Sequence, residues 1–315
     1  MEEIENRLKR EIRDQPLIIF LLDFKSIDQN FLGIPSDFSE FEKSEFIILP
    51  VPYEQTTTYQ QGTKNGPLAI IHASHEVETF DEELKFEPHR AGICTLNLLE
   101  VKSIEPSTIS NLIYDTTRQL IDAGKRTVML GGEHTISIGA VKAFQDKYPG
   151  LSVLQMDAHA DLRDSYQENK FSHACVMRRI AEFCHFVGVG IRNLSVEENA
   201  FVQENKIDLF FSHEMKDNRQ WKEQVLERLG SDVYLTLDLD VLDPSIMPAV
   251  GTPEPGGFLW YEMLEFLKEL IETKNVVGCD VVELCPIPGM VAPDFLAAKL
   301  VYKIIGYMAN KEKKV

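Results

Sequence analysis

The amino-acid sequence predicts a three-layer α/β domain, in which helices cover both faces of a mainly parallel β-sheet. Short apolar runs rich in β-branched residues alternate along the chain with longer segments whose apolar residues recur at helical spacing. Apolar strands separated by helices are typical of parallel sheets that are buried on both faces. The sequence shows no internal repeat, low-complexity tract or linker rich in proline and glycine. These observations favour one large domain.

The predicted strands begin at Phe46, where the sequence pattern changes. Six apolar runs are predicted as strands, in the order FIILPV, TVMLGG, LSVLQMD, FCHFVGVGI, VYLTLDLD and VVGCDVVEL. Between and after these runs we predict helices, at residues 107–124, 136–147, 173–183, 217–229, 259–273 and 293–311. Residues 1–45 show weak periodicity and are predicted to form a partly helical N-terminal extension to a single domain over residues 46–315.

An excess of acidic residues constrains the partners of this protein. The 315 residues include 50 Asp and Glu against 32 Lys and Arg, which gives a formal net charge of -18. Nucleic-acid backbones and anionic membrane surfaces both attract Lys and Arg, so we expect neither as a partner. The balance suits a small cationic substrate or divalent metal ions, although acidic surfaces also keep proteins soluble.

The cysteines and the N-terminal residues bear on the compartment. The chain has 5 cysteines and no C-x-x-C pair, so neither a disulfide framework nor a zinc ribbon is expected. The N-terminal residues are charged and carry no apolar signal-peptide core, and the apolar run at residues 17–22 is too short to cross a bilayer. We therefore expect a soluble cytoplasmic protein with reduced thiols.

A D-x-H-x-D cluster and a D-x-D pair each lie at the end of a predicted strand. Asp157, His159 and Asp161 follow LSVLQM, and Asp238 and Asp240 end VYLTLDLD. Alternate residues of an extended segment project to the same side, so the members of each set can converge on one point. In parallel sheets, functional groups collect beyond the carboxyl ends of the strands. Because Asp is also common in turns and helix caps, each set alone has a purely structural interpretation.

A histidine completes a candidate metal site. His134 closes the motif GGEH after a third strand, where Gly131 and Gly132 allow a tight turn. The candidate ligands are then two imidazoles and four carboxylates: His134, Asp157, His159, Asp161, Asp238 and Asp240. Such mixed sets suit Mn²⁺, Fe²⁺ or Zn²⁺. Four carboxylates balance the charge of two divalent ions, and two ions about 3.5–4 Å apart can activate water at neutral pH. The sequence therefore predicts a binuclear metal site.

The motifs resemble, in order, those of the ureohydrolase family, which includes arginase, agmatinase, guanidinobutyrase and formimidoylglutamase. The segments that carry the resemblance are ILPVPYEQTTTYQQGTKNGPLAI, GGEHTIS, MDAHADLRD, FSHA, LDLDVLDPS, GTPEPGG and DVVELCP. The resemblance implies an arginase-like fold, which is a three-layer α/β/α sandwich around a mainly parallel eight-stranded sheet. It also implies two Mn²⁺ ions per subunit and a homo-oligomer, either a trimer or a hexamer.

By motif position, the resemblance also divides the ligands between the two ions. One ion would be held by His134, Asp157, Asp161 and Asp238. The other ion would be held by Asp157, His159, Asp238 and Asp240. Asp157 and Asp238 would then bridge the ions.

The resemblance also implies catalytic roles for Glu283 and His173, beside the ligand Asp161. Glu283 follows an apolar strand, and the matching family glutamate pairs with the substrate guanidinium, a planar cation suited to carboxylates. His173 matches the family histidine proposed as a proton shuttle, because an imidazole titrates near neutrality and can protonate a departing amine. Without the resemblance, Glu283 could pair with an Arg of the protein, and His173 could be a capping or surface residue. Ala174 stands where many relatives have Gly.

The loop LRDSYQENKFSHA bears on the substrate. It lacks the stretch rich in Thr, Ser and Asn with which arginases hold an amino-acid head group, and it offers Asp164, Tyr166 and Glu168 to a cationic amine tail. This loop and GTPEPGG, in which Thr252 is a candidate substrate contact or a turn residue, resemble agmatinase. We therefore predict hydrolysis of agmatine to putrescine and urea. N1-aminopropylagmatine would suit the same loop, and Arg163 could instead pair with the carboxylate of arginine or guanidinobutyrate.

Two hypotheses from other classes are weaker. A deacetylase-type hydrolase shares this kind of sheet but uses a single zinc, which two full ligand sets and Glu283 argue against. A catalytically silent homologue that serves as a binding protein would have no need to retain all six candidate ligands.

Overall fold

Eight strands form one sheet in the computed structural model, which describes residues 30–101 and 104–313. The strands are β1 Phe46–Val51, β2 Ile93–Thr95, β3 Arg126–Gly131, β4 Ser152–Met156, β5 His185–Ile191, β6 Asp208–Phe211, β7 Asp232–Asp238 and β8 Asn275–Val282. All neighbouring strands are parallel, and their order is β2-β1-β3-β8-β7-β4-β5-β6. All of the carboxyl ends therefore lie along one edge of the sheet.

Helices cover both faces of this sheet. They are α1 Gly66–Ser74, α2 Pro106–Asp122, α3 Ser137–Lys147, α4 Val176–Ile180, α5 Val196–Asn205, α6 Ser212–Met215, α7 Trp221–Arg228, α8 Trp260–Thr273 and α9 Val291–Lys313. In β1, Phe46 and Ile48 face a core shared with α1, α8 and α9. Ile47 and Leu49 face a second core shared with α2 and α3. This alternation follows from the period-two geometry of a strand, and it confirms the predicted three-layer fold.

Among the residues that the structure describes, no helix combines the length and apolar character needed to span a bilayer.

Several elements at the margins of the fold have no counterpart among the predicted segments. β2 has three residues and β6 has four half-buried residues, and both strands lie at the edges of the sheet. Neither carries the long apolar run of a strand buried on both faces. Helix α5 also lacks an apolar stripe. It begins instead at a capping box, in which Ser195 and Glu198 exchange side-chain and backbone hydrogen bonds.

The predicted N-terminal extension is described only in part, because residues 1–29 lie outside the described residues. Short 3-10 turns, rather than α-helix, occupy residues 31–43. Phe31 is buried in the core, and its backbone N donates a hydrogen bond to Thr95 Oγ1 at 2.9 Å. This segment therefore packs against β2.

The order of the four central strands decides which motifs meet. Strands β3, β8, β7 and β4 lie side by side. At or just beyond their carboxyl ends lie His134, Glu283, Asp238 and Asp157, respectively. His134 and Glu283 are in hydrogen-bonding contact although they are 149 residues apart in the chain. The sheet thus assembles one polar site from distant segments.

A buried ion cluster ties α9 to the segment that follows α1. Lys303 Nζ lies 3.1 and 3.0 Å from the two carboxylate oxygens of Asp81 and 2.8 Å from Glu83 Oε2. The side chains of Lys303 and Asp81 are 1% and 0% exposed. Burial favours the neutral form of Glu83, but hydrogen bonds from Lys268, Lys303 and Tyr307 lower its pKa to about 2. The apolar pattern of α9 gives no sign of this cluster.

We expect Lys303→Met to lower the free energy of unfolding by about 3–5 kcal/mol, because the Asp81 charge would stay buried without its partner. Denaturant unfolding measures the change. Lys299→Met on the same helix is the matched control, since Lys299 pairs at 3.6 Å with Glu82, whose side chain is 70% exposed. Exposed pairs contribute about 0–1 kcal/mol. Equal losses in the two variants would contradict this account of the cluster.

Candidate metal centre and active site

His134 is surrounded by carboxylates at the carboxyl edge of the sheet. Its Nδ1 lies 3.3 Å from Asp157 Oδ2, 3.1 Å from Asp161 Oδ2 and 3.6 Å from Asp238 Oδ2. All four side chains are buried. Carboxylates from two strand ends therefore face one ring nitrogen that follows a third strand.

Asp157 also belongs to a second group. His159 Nδ1 lies 2.8 Å from Asp240 Oδ2 and 3.8 Å from Asp157 Oδ1. The candidate ligand atoms of His134, Asp157 and Asp238 lie within 4.8 Å of one another, as do those of Asp157, His159 and Asp240. The structure thus brings five of the six predicted ligands together in two groups that share Asp157, and the sixth, Asp161, lies beside His134.

Backbone donors orient the carboxylates. His159 N donates to Asp157 Oδ1 at 2.6 Å, Ala158 N to Asp240 Oδ1 at 3.0 Å, and Asp240 N to Asp238 Oδ1 at 2.9 Å. Each of these carboxylates therefore has one oxygen occupied by an amide of the same edge. The other oxygen of each is held toward the imidazoles.

A hydrogen-bonded chain behind His134 favours one tautomer of its ring. His134 Nε2 lies 2.8 Å from Thr236 Oγ1, and the Thr236 hydroxyl donates to Asp280 Oδ1 at 2.7 Å. An imidazole that donates through Nε2 keeps a lone pair on Nδ1. That Nδ1 is buried without a hydrogen-bond partner, although oxygens of three carboxyl groups lie 3.1–3.6 Å from it. A metal cation fits this arrangement of acceptors.

The buried carboxylates repel one another. Burial, reinforced by the charges of Asp161 and Asp240, raises the pKa of Asp157 to about 7. Burial and the charges of Asp240 and Asp157 raise the pKa of Asp238 well above its usual range. At Asp240, the neighbouring His159 outweighs burial and lowers the pKa to about 2. Positive charge relieves such repulsion, so the donor set and its charge both fit divalent cations.

Glu283 connects the end of β8 to the turn after β3. Its backbone N donates to Gly132 O at 2.8 Å, and its Oε1 accepts from His134 N at 2.7 Å. Burial and the charge of Glu133 raise the pKa of Glu283 well above its usual range. The side chain is 7% exposed and lines the cavity above the two groups. A cation that enters this cavity would offset the cost of burying the carboxylate.

Asp161 and Glu283 both have left-handed backbone conformations, with φ of 51° and 67°. Residues other than glycine rarely adopt this conformation, and such strain is concentrated at functional sites. The conformation of Asp161 accompanies its contact with His134. That of Glu283 accompanies its place on the cavity wall.

A cavity of about 180 Å³ lies above the two groups. Residues 57–60, in the loop after β1, form one wall. Two carboxylates hold the ends of this loop, since Glu54 Oε1 accepts from Gly62 N and Glu133 Oε2 accepts from Thr56 N at 2.7 Å. The loop is therefore tied to the same turn that carries His134.

His173 lies at the start of the 3-10 turn His173–Cys175 and lines the cavity. Its Nδ1 is 3.0 Å from Thr56 Oγ1, and its ring is edge-on to Tyr166, with centroids 6.0 Å apart. Burial lowers the pKa of His173, although the charges of Asp161 and Glu133 oppose this. The imidazole is therefore mainly neutral near pH 7, with one ring nitrogen engaged by the loop.

The structure separates the three residues predicted to hold an amine tail. Tyr166 lines the cavity, as does Thr252, whereas Asp164 and Glu168 are not on its wall. Asp164 Oδ1 instead accepts from Arg179 Nη2 at 2.8 Å, and Glu168 is exposed. These two carboxylates therefore do not form the predicted acidic wall.

A different carboxylate, Glu198, lies on the cavity wall. It is 4% exposed, and its Oε1 accepts from Leu162 N at 2.9 Å. Arg163 also lines the cavity, with Nε 3.9 Å from Glu198 Oε2 and its guanidinium 5.1 Å from the Tyr166 ring centroid. Glu198 was not among the candidate residues, because its sequence signal is the capping box it shares with Ser195.

Comparisons with known proteins agree on a family. A sequence profile described as "Arginase family" matches residues 44–306. The chain is 38% identical over 298 residues to N(1)-aminopropylagmatine ureohydrolase of Synechocystis sp.. This alignment covers 90% of this chain and 97% of that protein. It is 36% identical over 267 residues to the protein of the same name from Thermus thermophilus. That alignment covers 84% of this chain and 91% of the Thermus protein.

A solved structure extends the similarity to the whole fold. The crystal structure of the agmatine ureohydrolase of Thermoplasma volcanium matches with a TM-score of 0.84 and 28% sequence identity. The match covers 94% of this chain and 99% of that one. The eight-stranded, arginase-like sandwich implied by the motifs is thereby confirmed.

We expect the purified protein to bind two divalent cations per chain and to be more stable with them, because they offset the repulsion among the carboxylates. Adding Mn²⁺ to the chelator-treated protein at about 100 times its Kd should add about 2.7 kcal/mol per bound ion to the free energy of unfolding. Elemental analysis should find less metal in Asp238→Ala. Asp164→Ala is the control, since Asp164 lies outside both groups. Equal metal content in the two variants would count against the site.

Proposed function

Because the chain belongs to the arginase family, we propose that it is a metal-dependent ureohydrolase, which hydrolyses the guanidinium group of a small cation to urea and an amine. The observation that carries this proposal is the pair of His and carboxylate groups that share Asp157 beneath one cavity. Glu283 and His173 line the same cavity. The hydrolysis needs an activated water, a carboxylate for the guanidinium and a group that transfers a proton.

In this proposal, two Mn²⁺ ions are divided among the six ligands as the family resemblance implies. The first ion would be held by His134, Asp157, Asp161 and Asp238. The second would be held by Asp157, His159, Asp238 and Asp240. When bound, the ions supply Lewis-acid chemistry, because they lower the pKa of water enough to yield a nucleophile at neutral pH.

Glu283 binds and orients the substrate guanidinium. Its Oε1 accepts from His134 N, which leaves Oε2 to accept from a guanidinium N–H in the cavity. A planar guanidinium pairs well with a carboxylate. The pair would hold the guanidinium carbon above the carboxylate groups, and its positive charge would offset the burial of Glu283.

His173 moves the proton. A neutral imidazole can accept a proton from the attacking water and then donate it to the departing amine. The contact between Nδ1 and Thr56 leaves Nε2 as the ring nitrogen available to the cavity. Burial lowers the pKa of His173, so the ring starts in the form that accepts.

We put N1-aminopropylagmatine first among the substrates and agmatine second, the reverse of the order expected from sequence motifs alone. The similarity to the Synechocystis and Thermus proteins supports the longer polyamine, and the likeness to the Thermoplasma protein supports agmatine. Both substrates carry a cationic tail, for which Glu198 offers a carboxylate on the cavity wall. Arginine or guanidinobutyrate would instead require Arg163 to turn from Glu198 and Tyr166 to a substrate carboxylate.

We also propose a homo-oligomer, a trimer or a hexamer, and a single catalytic domain over residues 46–315. The oligomer rests on the family resemblance, and the single domain rests also on the sequence pattern, which contains no linker. The packing of Phe31 against β2 gives the chain before residue 46 at least one contact with this domain.

We expect the Mn²⁺-loaded protein to release urea from N1-aminopropylagmatine with the highest kcat/KM of a panel that also contains agmatine, arginine and guanidinobutyrate. A colorimetric urea assay measures the release. Asp238→Ala is the control and should be inactive. Highest activity on agmatine would favour the second candidate. If no compound of the panel yields urea although two metals are bound per chain, the result would point to another substrate or to a binding protein.

We expect His173→Asn to lower kcat by about 10²–10⁴-fold, because proton transfer by a positioned side chain contributes about that much. KM and bound metal should change little, since His173 belongs to neither carboxylate group. His213→Asn is the matched control, because the His213 side chain is 77% exposed and should retain full activity. A His173→Asn enzyme with the kcat of the parent would rule out the proton-transfer role.

A further inference from the structure

Thr56 joins His173 to a buried carboxylate on the other side of the site. The Thr56 hydroxyl donates to Glu133 Oε1 at 2.8 Å. The same oxygen, Thr56 Oγ1, lies 3.0 Å from His173 Nδ1 and accepts from His173 N at 3.0 Å. Thr56 and His173 are 117 residues apart in the chain, so the folded chain alone brings them together.

The environment of Glu133 decides the direction of these hydrogen bonds. Glu133 is 0% exposed. Its Oε2 accepts from the backbone N of Gln55 and of Thr56, each at 2.7 Å. Its Oε1 accepts from the hydroxyls of Thr135, at 2.7 Å, and of Thr56. Each carboxylate oxygen thus accepts from two donors, and Thr56 is the donor in its hydrogen bond with Oε1. The Thr56 hydroxyl therefore donates its hydrogen bond to Glu133 and has no second proton to donate to His173.

A hydroxyl has one proton and two lone pairs. Because its hydroxyl donates to Glu133 Oε1, Thr56 Oγ1 can only accept from His173, both from the backbone N–H and from Nδ1. A neutral imidazole carries one N–H. We propose that Thr56 is a positioning residue that holds neutral His173 as the Nδ1-protonated tautomer, with the Nε2 lone pair presented to the cavity.

Ser172 also approaches the same nitrogen, with its Oγ 3.3 Å from His173 Nδ1. This distance is longer than that to Thr56. Because a hydroxyl can rotate to donate or to accept, Ser172 imposes no direction on the hydrogen bond. Thr56 does impose a direction, because its hydroxyl already donates to Glu133 Oε1.

The tautomer matters for the reaction, and this consequence rests on the proposed function. Only a lone pair on Nε2 can take a proton from water in the cavity and return it to the amine that departs. In the opposite tautomer, the Nδ1 lone pair would face the Thr56 oxygen, which has no proton left to donate. Holding one tautomer thus removes an inactive form of the ring.

Nitrogen NMR tests the tautomer without reference to activity. We would label histidine with ¹⁵N, load the protein with diamagnetic Mg²⁺, and assign His173 by its absence from the His173→Asn spectrum. At mildly alkaline pH, Nδ1 should show the resonance of a protonated nitrogen and Nε2 that of an unprotonated one. Thr56→Val, which keeps the side-chain shape and loses the hydroxyl, should give a mixture of tautomers. A parent protein with the proton on Nε2 would overturn the proposal.

Kinetics of two variants at one position test the consequence. Thr56→Val should lower kcat about 10- to 100-fold, by analogy with the loss of a hydrogen-bond partner that orients a metal-bound histidine, with little change in bound metal. The pH dependence of kcat should also shift, because the ring then titrates without its Nδ1 acceptor. Thr56→Ser keeps the hydroxyl and should restore most of kcat and the original pH profile.

The outcomes separate this inference from the proposed function. A parent protein that is active on the guanidino panel, with Thr56→Val equal to it in kcat and tautomer, would overturn the inference alone. A parent protein that is inactive on the whole panel would count against the proposed function, while the NMR spectrum would still decide the tautomer. If Thr56→Val fails to fold, the parent spectrum and the Thr56→Ser variant decide.

Discussion

Repulsion among buried carboxylates is the constraint on which the rest of this structure depends. Five of them crowd one edge of the sheet: Asp157, Asp161, Asp238, Asp240 and Glu283. Burial removes the water that would screen their charges, so each must be offset by a donor or a cation. Backbone amides occupy one oxygen of several, and His159 neutralises Asp240 in part. The remaining demand for positive charge suits divalent metal ions and, in the proposed function, a guanidinium.

Behind these groups, a layer of buried hydrogen bonds sets their orientation. Thr236 and Asp280 hold His134 from one side, and Glu133 holds the loop after β1 from the other. Each of these residues lies in or next to a central strand. The central strands therefore position both the candidate ligands and the cavity wall.

The sequence predicted the parts of the site that lie on single strands. Asp157 and Asp238 could be found because a polar residue at the end of an apolar run stands out. Contacts between segments that are far apart in the chain leave no such trace, and neither Thr56 beside His173 nor the Lys303 cluster could be inferred. The acidic residues of one loop also did not indicate which carboxylates line the cavity, because Asp164 pairs with Arg179 outside it. The edge strands were missed since short, half-buried segments lack a strong apolar pattern.

The position of β8 has a consequence for biosynthesis. It is the last strand along the chain, yet it lies in the middle of the sheet, between β3 and β7. Until the ribosome has released residues 275–283, the nascent chain can form only two partial sheets, each with an exposed apolar edge. Addition of β8 supplies Glu283 and joins β3 to β7, which brings His134 and Asp238 to the same site. A truncated translation product would therefore lack the complete site, because the candidate ligands come together only once β8 has been synthesised.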